Sequence, residues 1–163
     1  MIIACADSRV DPSTIFSAAP GELFVVRNVA ALVPPAEDGG NYHGTSAAIE
    51  FAVTGLQVSN IVVMGHGMCG WVSACLAAGE SEPVGQFIGK WVDLLASARE
   101  QVIETIPSSD VPGRPLLLER LGLQRSLTNL LPSRFVDSAL PPVPPRLPGP
   151  LLSPAGWPLY SRS

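Results

Sequence analysis

The chain has 163 residues, 47% of them hydrophobic and 15% charged, with a formal net charge of −4. That length suits one domain with a proper buried core. With Lys90 as its single lysine and no Lys/Arg cluster, the chain lacks the basic footprint that nucleic acid or an anionic membrane surface requires, and no apolar run approaches the ~20 residues of a membrane span.

In chain order, Met1-Ile-Ile-Ala-Cys5 is an apolar run cut off by Asp7-Ser8-Arg9, which predicts a short buried strand. It has no basic region ahead of it and meets Asp7 at once, unlike a secretory leader. Pro12 to Phe16 predicts a helical turn with proline near its start, and Pro20-Gly21 a turn. Glu22-Leu-Phe-Val-Val-Arg27 is rich in strand formers and predicts a second strand. A loop follows through Pro34-Pro35 and Gly39-Gly40. Thr45 or Ser46 is expected to cap the next helix, in which Ile49, Ala52, Val53 and Leu56 fall at i, i+3, i+4 and i+7 on one buried face, with Gly55 near its end.

Asn60-Ile-Val-Val-Met-Gly65 is continuously apolar, as a strand covered on both faces would be. Helix is predicted over 72–78, again over 85–105 with Ile88, Trp91, Val92 and Leu95 as its core stripe, and over 116–131 behind Pro115. Strands alternating with helices imply an α/β fold with a mainly parallel β-sheet flanked by helices. From Pro132 to Ser163 nine residues are proline, which excludes a central strand and predicts extended or disordered chain. The low charged fraction, against about 25% in an average soluble domain, predicts that a partner subunit covers some apolar surface.

Three cysteines are an odd number in a long chain, so metal or catalytic use in a reducing compartment is expected over a disulfide framework, and the protein is read as cytoplasmic. Two of them fall at strand ends, as Cys5-Ala-Asp7-Ser-Arg9 and His66-x-x-Cys69. In an open α/β sheet ligands bind outside the carboxyl ends of the strands. Two thiolates and one imidazole suit zinc, and three protein ligands leave the open position of a catalytic site. Gly65, Gly67 and Gly70 would let the backbone turn tightly around the metal. Cys75, on an apolar helix, is expected in the core. Trp71, Trp91, Phe51 and Phe87 are expected in the core or at a subunit interface. His43 is expected to hold a loop, with proton relay as the sharper alternative.

Cys5-x-Asp7-Ser8-Arg9, followed about sixty residues later by Gly65-His66-x-x-Cys69-Gly70, resembles the signature of the β-class carbonic anhydrases. The stretches 21–30 and 43–53 resemble that family too, as does Arg125-Ser126-Leu127-x-Asn129-Leu130, so the likeness covers about residues 1–140. It implies reversible hydration of carbon dioxide to bicarbonate by a zinc-bound hydroxide. It also implies one zinc per chain on Cys5, His66 and Cys69, and a homodimer or higher homo-oligomer. Asp7 carries over in two roles, as a fourth metal ligand in a closed resting site or, paired with Arg9, as the group that orients the hydroxide. Arg9 can hold that carboxylate in a bidentate, charge-assisted pair. By the same analogy Ser8 and Asn28 line the pocket.

The chain departs from the family in three places. It begins at the zinc-binding strand, without the family's N-terminal helices. Trp71 stands where a second glycine is usual, so a narrowed pocket or disturbed helix start is expected. After Leu140 the final edge strand is replaced by Pro-Pro-Val-Pro-Pro-Arg-Leu-Pro-Gly-Pro. Two units follow, a carbonic anhydrase-like domain over 1–140 and a divergent proline-rich tail over 141–163, and a truncated start with a frameshifted end is the expected origin. Two other functions remain open: a catalytically silent zinc-binding domain, and hydrolysis of a related small electrophile such as carbon disulfide.

Overall fold

The computed structural model describes residues 1–36, 43–78, 85–110 and 112–130. Three strands form one parallel sheet in the order β2-β1-β3, with β1 over Ile2–Cys5, β2 over Val25–Asn28 and β3 over Val62–Met64. Ile2 pairs with both Val25 and Val62, and Cys5 lies opposite Asn28. All carboxyl ends therefore emerge on one edge. The central strand is covered on both faces, and Ile2, Ile3, Ala4 and Cys5 are all buried, as a continuous apolar run requires. Full burial of a side chain such as Ile3 is worth about 1.5–3 kcal/mol.

Six helices surround the sheet among the described residues: α1 Pro12–Phe16, α2 Gly44–Glu50, α3 Gly70–Ala77, α4 Ile88–Val92, α5 Ala96–Thr105 and α6 Gly113–Leu130. Asp11 caps α1 by accepting the Thr14 backbone N–H at 2.8 Å, with Pro12 at the first helical position. On α6 every fourth residue from Leu118 to Leu130 is buried, namely Leu118, Gly122, Ser126 and Leu130. That face clasps the chain beyond β2: Ser126 Oγ donates to Ala31 O and accepts from Val33 N, and Asn129 Nδ2 donates to Val33 O at 2.8 Å.

Several local expectations are corrected. The second strand begins at Val25, not Glu22, because Glu22 is drawn into the preceding turn, where its carboxylate accepts the Ala19 N–H at 2.7 Å. The third spans only Val62–Met64, the stretch in register with β1. Neither Thr45 nor Ser46 caps α2; both lie inside it, and the Thr45 hydroxyl accepts from Asn28 Nδ2 instead. Leu56 leaves the buried stripe of Ile49, Ala52 and Val53 and is 47% exposed. The helix widens into a π-turn over Phe51–Gly55, where Leu56 N reaches back five residues to Phe51 O, so the 3.6-residue period fails there.

The helix expected over 85–105 is broken by a tight 3-10 turn at Asp93–Leu95. Val92 and Leu95 are buried as expected, whereas Ile88 is exposed. Trp91 is half-buried, and its indole N–H donates to Val29 O at 2.9 Å. The last helix starts at Gly113, three residues before its expected start, with Pro115 inside its first turn. Cys75 is fully buried in the core. The 140/141 boundary and the proline-rich segment lie outside the described residues, as do Gly39 and Gly40.

Candidate metal centre

Two chain segments meet at the carboxyl edge of the sheet. β1 ends on Cys5, and β3 leads through Gly65, His66, Gly67 and Met68 to Cys69, which stands at the N-terminal cap position of α3. The Cys5 and Cys69 sulfurs lie 4.0 Å apart. With a His66 ring nitrogen they form a buried trio whose donor atoms all fall within 4.8 Å of one another.

The trio fits a metal ion on independent grounds. Two thiolates each about 2.3 Å from one tetrahedral zinc stand about 3.8 Å apart, close to the separation seen. His66 Nδ1 lies 3.0 Å from Gly67 O, an atom that only accepts, so Nδ1 carries a proton. In the neutral ring this leaves Nε2 as a bare lone pair. Nε2 is buried and has no hydrogen-bond partner. A buried polar atom left unmatched costs about 1–3 kcal/mol, and a metal ion would satisfy it.

Electrostatics favour loss of the Cys5 proton and retention of those on Cys69 and His66. The contact with the Cys69 sulfur holds the Cys5 thiol well below its usual range, and His66 and the N–H groups of Asp7 and Ala30 add to this against the effect of burial. The neighbouring Cys5 sulfur, with burial, pushes the Cys69 thiol up, against the pull of the Trp71 and Val72 N–H groups at the start of α3. A divalent cation between the two sulfurs would favour the thiolate form of both. The Cys5 thiolate raises the His66 pKa despite burial.

Asp7 and Arg9 stand beside the trio. Arg9 donates from Nε to Asp7 Oδ1 at 2.8 Å and from Nη2 to Oδ2 at 2.7 Å, and its backbone N–H adds a third bond at 3.0 Å. These bonds hold the Asp7 carboxyl well below the usual carboxylate range. Asp7 Oδ2 is 3.8 Å from His66 Nε2, so the carboxylate faces the trio without being one of it. Arg9 Nη2 also donates to Met68 O at 3.1 Å, tying the two segments together.

Two contributors carry no sequence signal of their role. Arg27 on β2 donates from Nε to Cys5 O at 3.1 Å and from Nη2 to Asp7 O at 2.6 Å, bracing the first segment from the neighbouring strand. Glu119 on α6 accepts the Cys69 N–H at 3.2 Å. Its partner is fifty residues away, and nothing in the helix sequence distinguishes it from an ordinary surface glutamate.

The glycine expectation is partly corrected. A Cβ at Gly65 would crowd Leu123 Cδ2 on α6 at 3.0 Å, but added Cβ atoms at Gly67 and Gly70 would meet nothing within 4 Å. The tight turn is made by Met68, a non-glycine residue with φ of 56°, a conformation costing roughly 1–2 kcal/mol. Trp71 does not disturb the start of α3, which begins at Gly70 with the indole half-buried against the core. Asn28 staples its own loop, donating to Leu32 O and accepting from Leu32 N. Ser8 is exposed, and His43 is exposed ahead of α2 and outside the trio. Phe51 and Phe87 are 56% and 80% exposed and lie outside the core.

Among the described residues no helix is long and apolar enough to cross a membrane. The carbonic anhydrase family profile matches residues 1–142. Among curated proteins, the chain is 38% identical over 137 residues to "Beta carbonic anhydrase 5, chloroplastic" of Arabidopsis thaliana, covering 84% of this chain and 45% of that one, so it spans about half the length of that relative. Among solved structures, the β-carbonic anhydrase CcaA superposes with a TM-score of 0.77 at 27% identity, over 86% of this chain and 69% of that one. One of two tetrameric β-carbonic anhydrases from the ascomycete Sordaria macrospora does so at 0.70 and 28%, over 85% and 66%.

Proposed function

The chain belongs to the β-carbonic anhydrase family, and on that footing we propose that it hydrates carbon dioxide reversibly to bicarbonate and a proton, at a single zinc held by Cys5, His66 and Cys69. The observation that carries this reading is the buried Cys5, His66 and Cys69 trio with His66 Nε2 left unpartnered and an Arg9-held carboxylate 3.8 Å from it. A bound zinc supplies Lewis acidity and lowers the pKa of a coordinated water from about 15.7 to about 7. Every other part of the task falls to the chain. Cys5, His66 and Cys69 hold the ion. Asp7 accepts a hydrogen bond from the attacking water and fixes the direction of its lone pair. Arg9 keeps Asp7 ionised and aimed by engaging both of its oxygens.

The same pairing supports an orienting role for Asp7, since Arg9 fixes both carboxylate oxygens while each keeps a lone pair free to accept from water. It also supports an enzyme over a silent zinc-binding domain, because a structural metal site needs no aimed carboxylate. Carbon disulfide serves as the comparison substrate, to be assayed beside carbon dioxide. In Asp7→Asn the account expects zinc to stay at one per chain while hydration falls; unchanged hydration removes Asp7 from the mechanism.

The functional unit is residues 1–140, a span supported by the family match over 1–142. It works as a homo-oligomer. Phe51, Phe87 and Met68 expose large apolar surface, as subunit contacts do before assembly, and the Sordaria macrospora relatives are described as tetrameric. Two metal-binding thiolates fit a reducing compartment, and the cytoplasm is the one proposed.

A further inference from the structure

The segment 66–69 has a hold on the rest of the fold that the sheet does not supply. Met68 takes a left-handed conformation, and the backbone N–H of the next residue, Cys69, donates to Glu119 Oε1 at 3.2 Å. A hydrogen bond to a charged acceptor is among the stronger ones, and here the acceptor belongs to α6. That helix is itself anchored, since Leu118 next to Glu119 is fully buried. The carboxylate is about half-buried and is desolvated for this contact, which argues against an incidental surface bond.

From this geometry we propose that Glu119 is a positioning residue for the metal centre: by accepting the Cys69 amide it fixes the turn that aims the Cys69 sulfur at Cys5 and His66. The proposal rests on the zinc reading above. Groups that orient metal ligands typically change metal affinity by about 10- to 100-fold when removed. Reach, not charge alone, is what the role requires.

The test compares Glu119→Gln with Glu119→Asp in the full chain. Gln keeps the length and one accepting oxygen; Asp keeps the charge but withdraws the oxygens by one methylene. Zinc affinity is read by chelator competition, ligand geometry by the absorption of the cobalt(II)-loaded chain, and the hydrogen bond by the Cys69 amide proton shift in the metal-free chain. The expected result is zinc binding within about threefold of the parent for Gln and at least about tenfold weaker for Asp, with an altered cobalt spectrum and an upfield amide shift only in Asp. Parent-like binding and amide shift in Asp overturn the proposal, as does loss in Gln with retention in Asp, which assigns the effect to charge. A parent chain that takes up no zinc overturns the metal reading instead, and the amide shift still decides whether Glu119 holds the turn.

Discussion

Arg9 grips Asp7 through two parallel hydrogen bonds, Nε to Oδ1 at 2.8 Å and Nη2 to Oδ2 at 2.7 Å, two residues apart in the chain. The pair makes Asp7 a poor proton carrier and a good acceptor at every pH where the fold survives. In Arg9→Ala the carboxyl pKa is expected to rise toward the ordinary 3.8, and carbon dioxide hydration to fall by roughly 10- to 100-fold. Arg9→Lys should recover only part of this, because an ammonium cannot engage both oxygens. Stopped-flow hydration on the zinc-loaded variants measures it.

The same depressed pKa sets an acid limit. A carboxylate whose folded pKa lies below its unfolded value stabilises the fold fully above the unfolded value and loses that contribution as pH falls through the folded one. For Asp7 that window lies below about 3.8. Urea midpoints measured across mild acid should therefore separate the parent from Asp7→Asn, with the gap closing as pH drops through that range.

Zinc removal should destabilise the chain in a pH-dependent way. Both thiols, and the imidazole wherever it is protonated, must lose protons to bind the ion, and the raised His66 and Cys69 pKa values keep those protons in place until the ion displaces them. At free zinc about a thousandfold above its dissociation constant the stabilisation is about 4 kcal/mol. Tm should fall on chelation at neutral pH, and the difference should shrink toward pH 5. An unchanged Tm at neutral pH contradicts the metal centre.

Arg27 braces the first ligand segment from the adjacent strand through the carbonyls of Cys5 and Asp7. Losing charged hydrogen bonds of this kind costs about 1–3 kcal/mol, so Arg27→Ala should lower the urea midpoint by that equivalent. It should also weaken zinc binding about tenfold.

The exposed Phe51 and Phe87 predict self-association of the 17.1 kDa chain. Sedimentation should give a dimer or larger species, and the double variant Phe51→Glu, Phe87→Glu should shift it toward monomer. A parent that stays monomeric at high concentration contradicts the oligomer.

The trio and its neighbouring pair were legible in the sequence because their signals are local: a short apolar strand ending on Cys5, a second ending ahead of His66-x-x-Cys69, and Asp7 and Arg9 close enough to pair. The sheet was legible for the same reason, as β1 and β3 are continuous apolar runs. What escaped depends on tertiary partners. Leu56 follows helical spacing but is turned out by a π-turn that no spacing predicts. Thr45 has the chemistry of a cap but serves Asn28. Glu119 gains its role only because α6 crosses behind the 66–69 turn.

The most direct test of the account is zinc content and stopped-flow carbon dioxide hydration on the purified chain, beside Cys69→Ser. One zinc per chain, hydration that rises with pH near neutrality, and loss of both in Cys69→Ser are expected. One zinc per chain with no hydration at any pH would contradict it and leave a structural metal site.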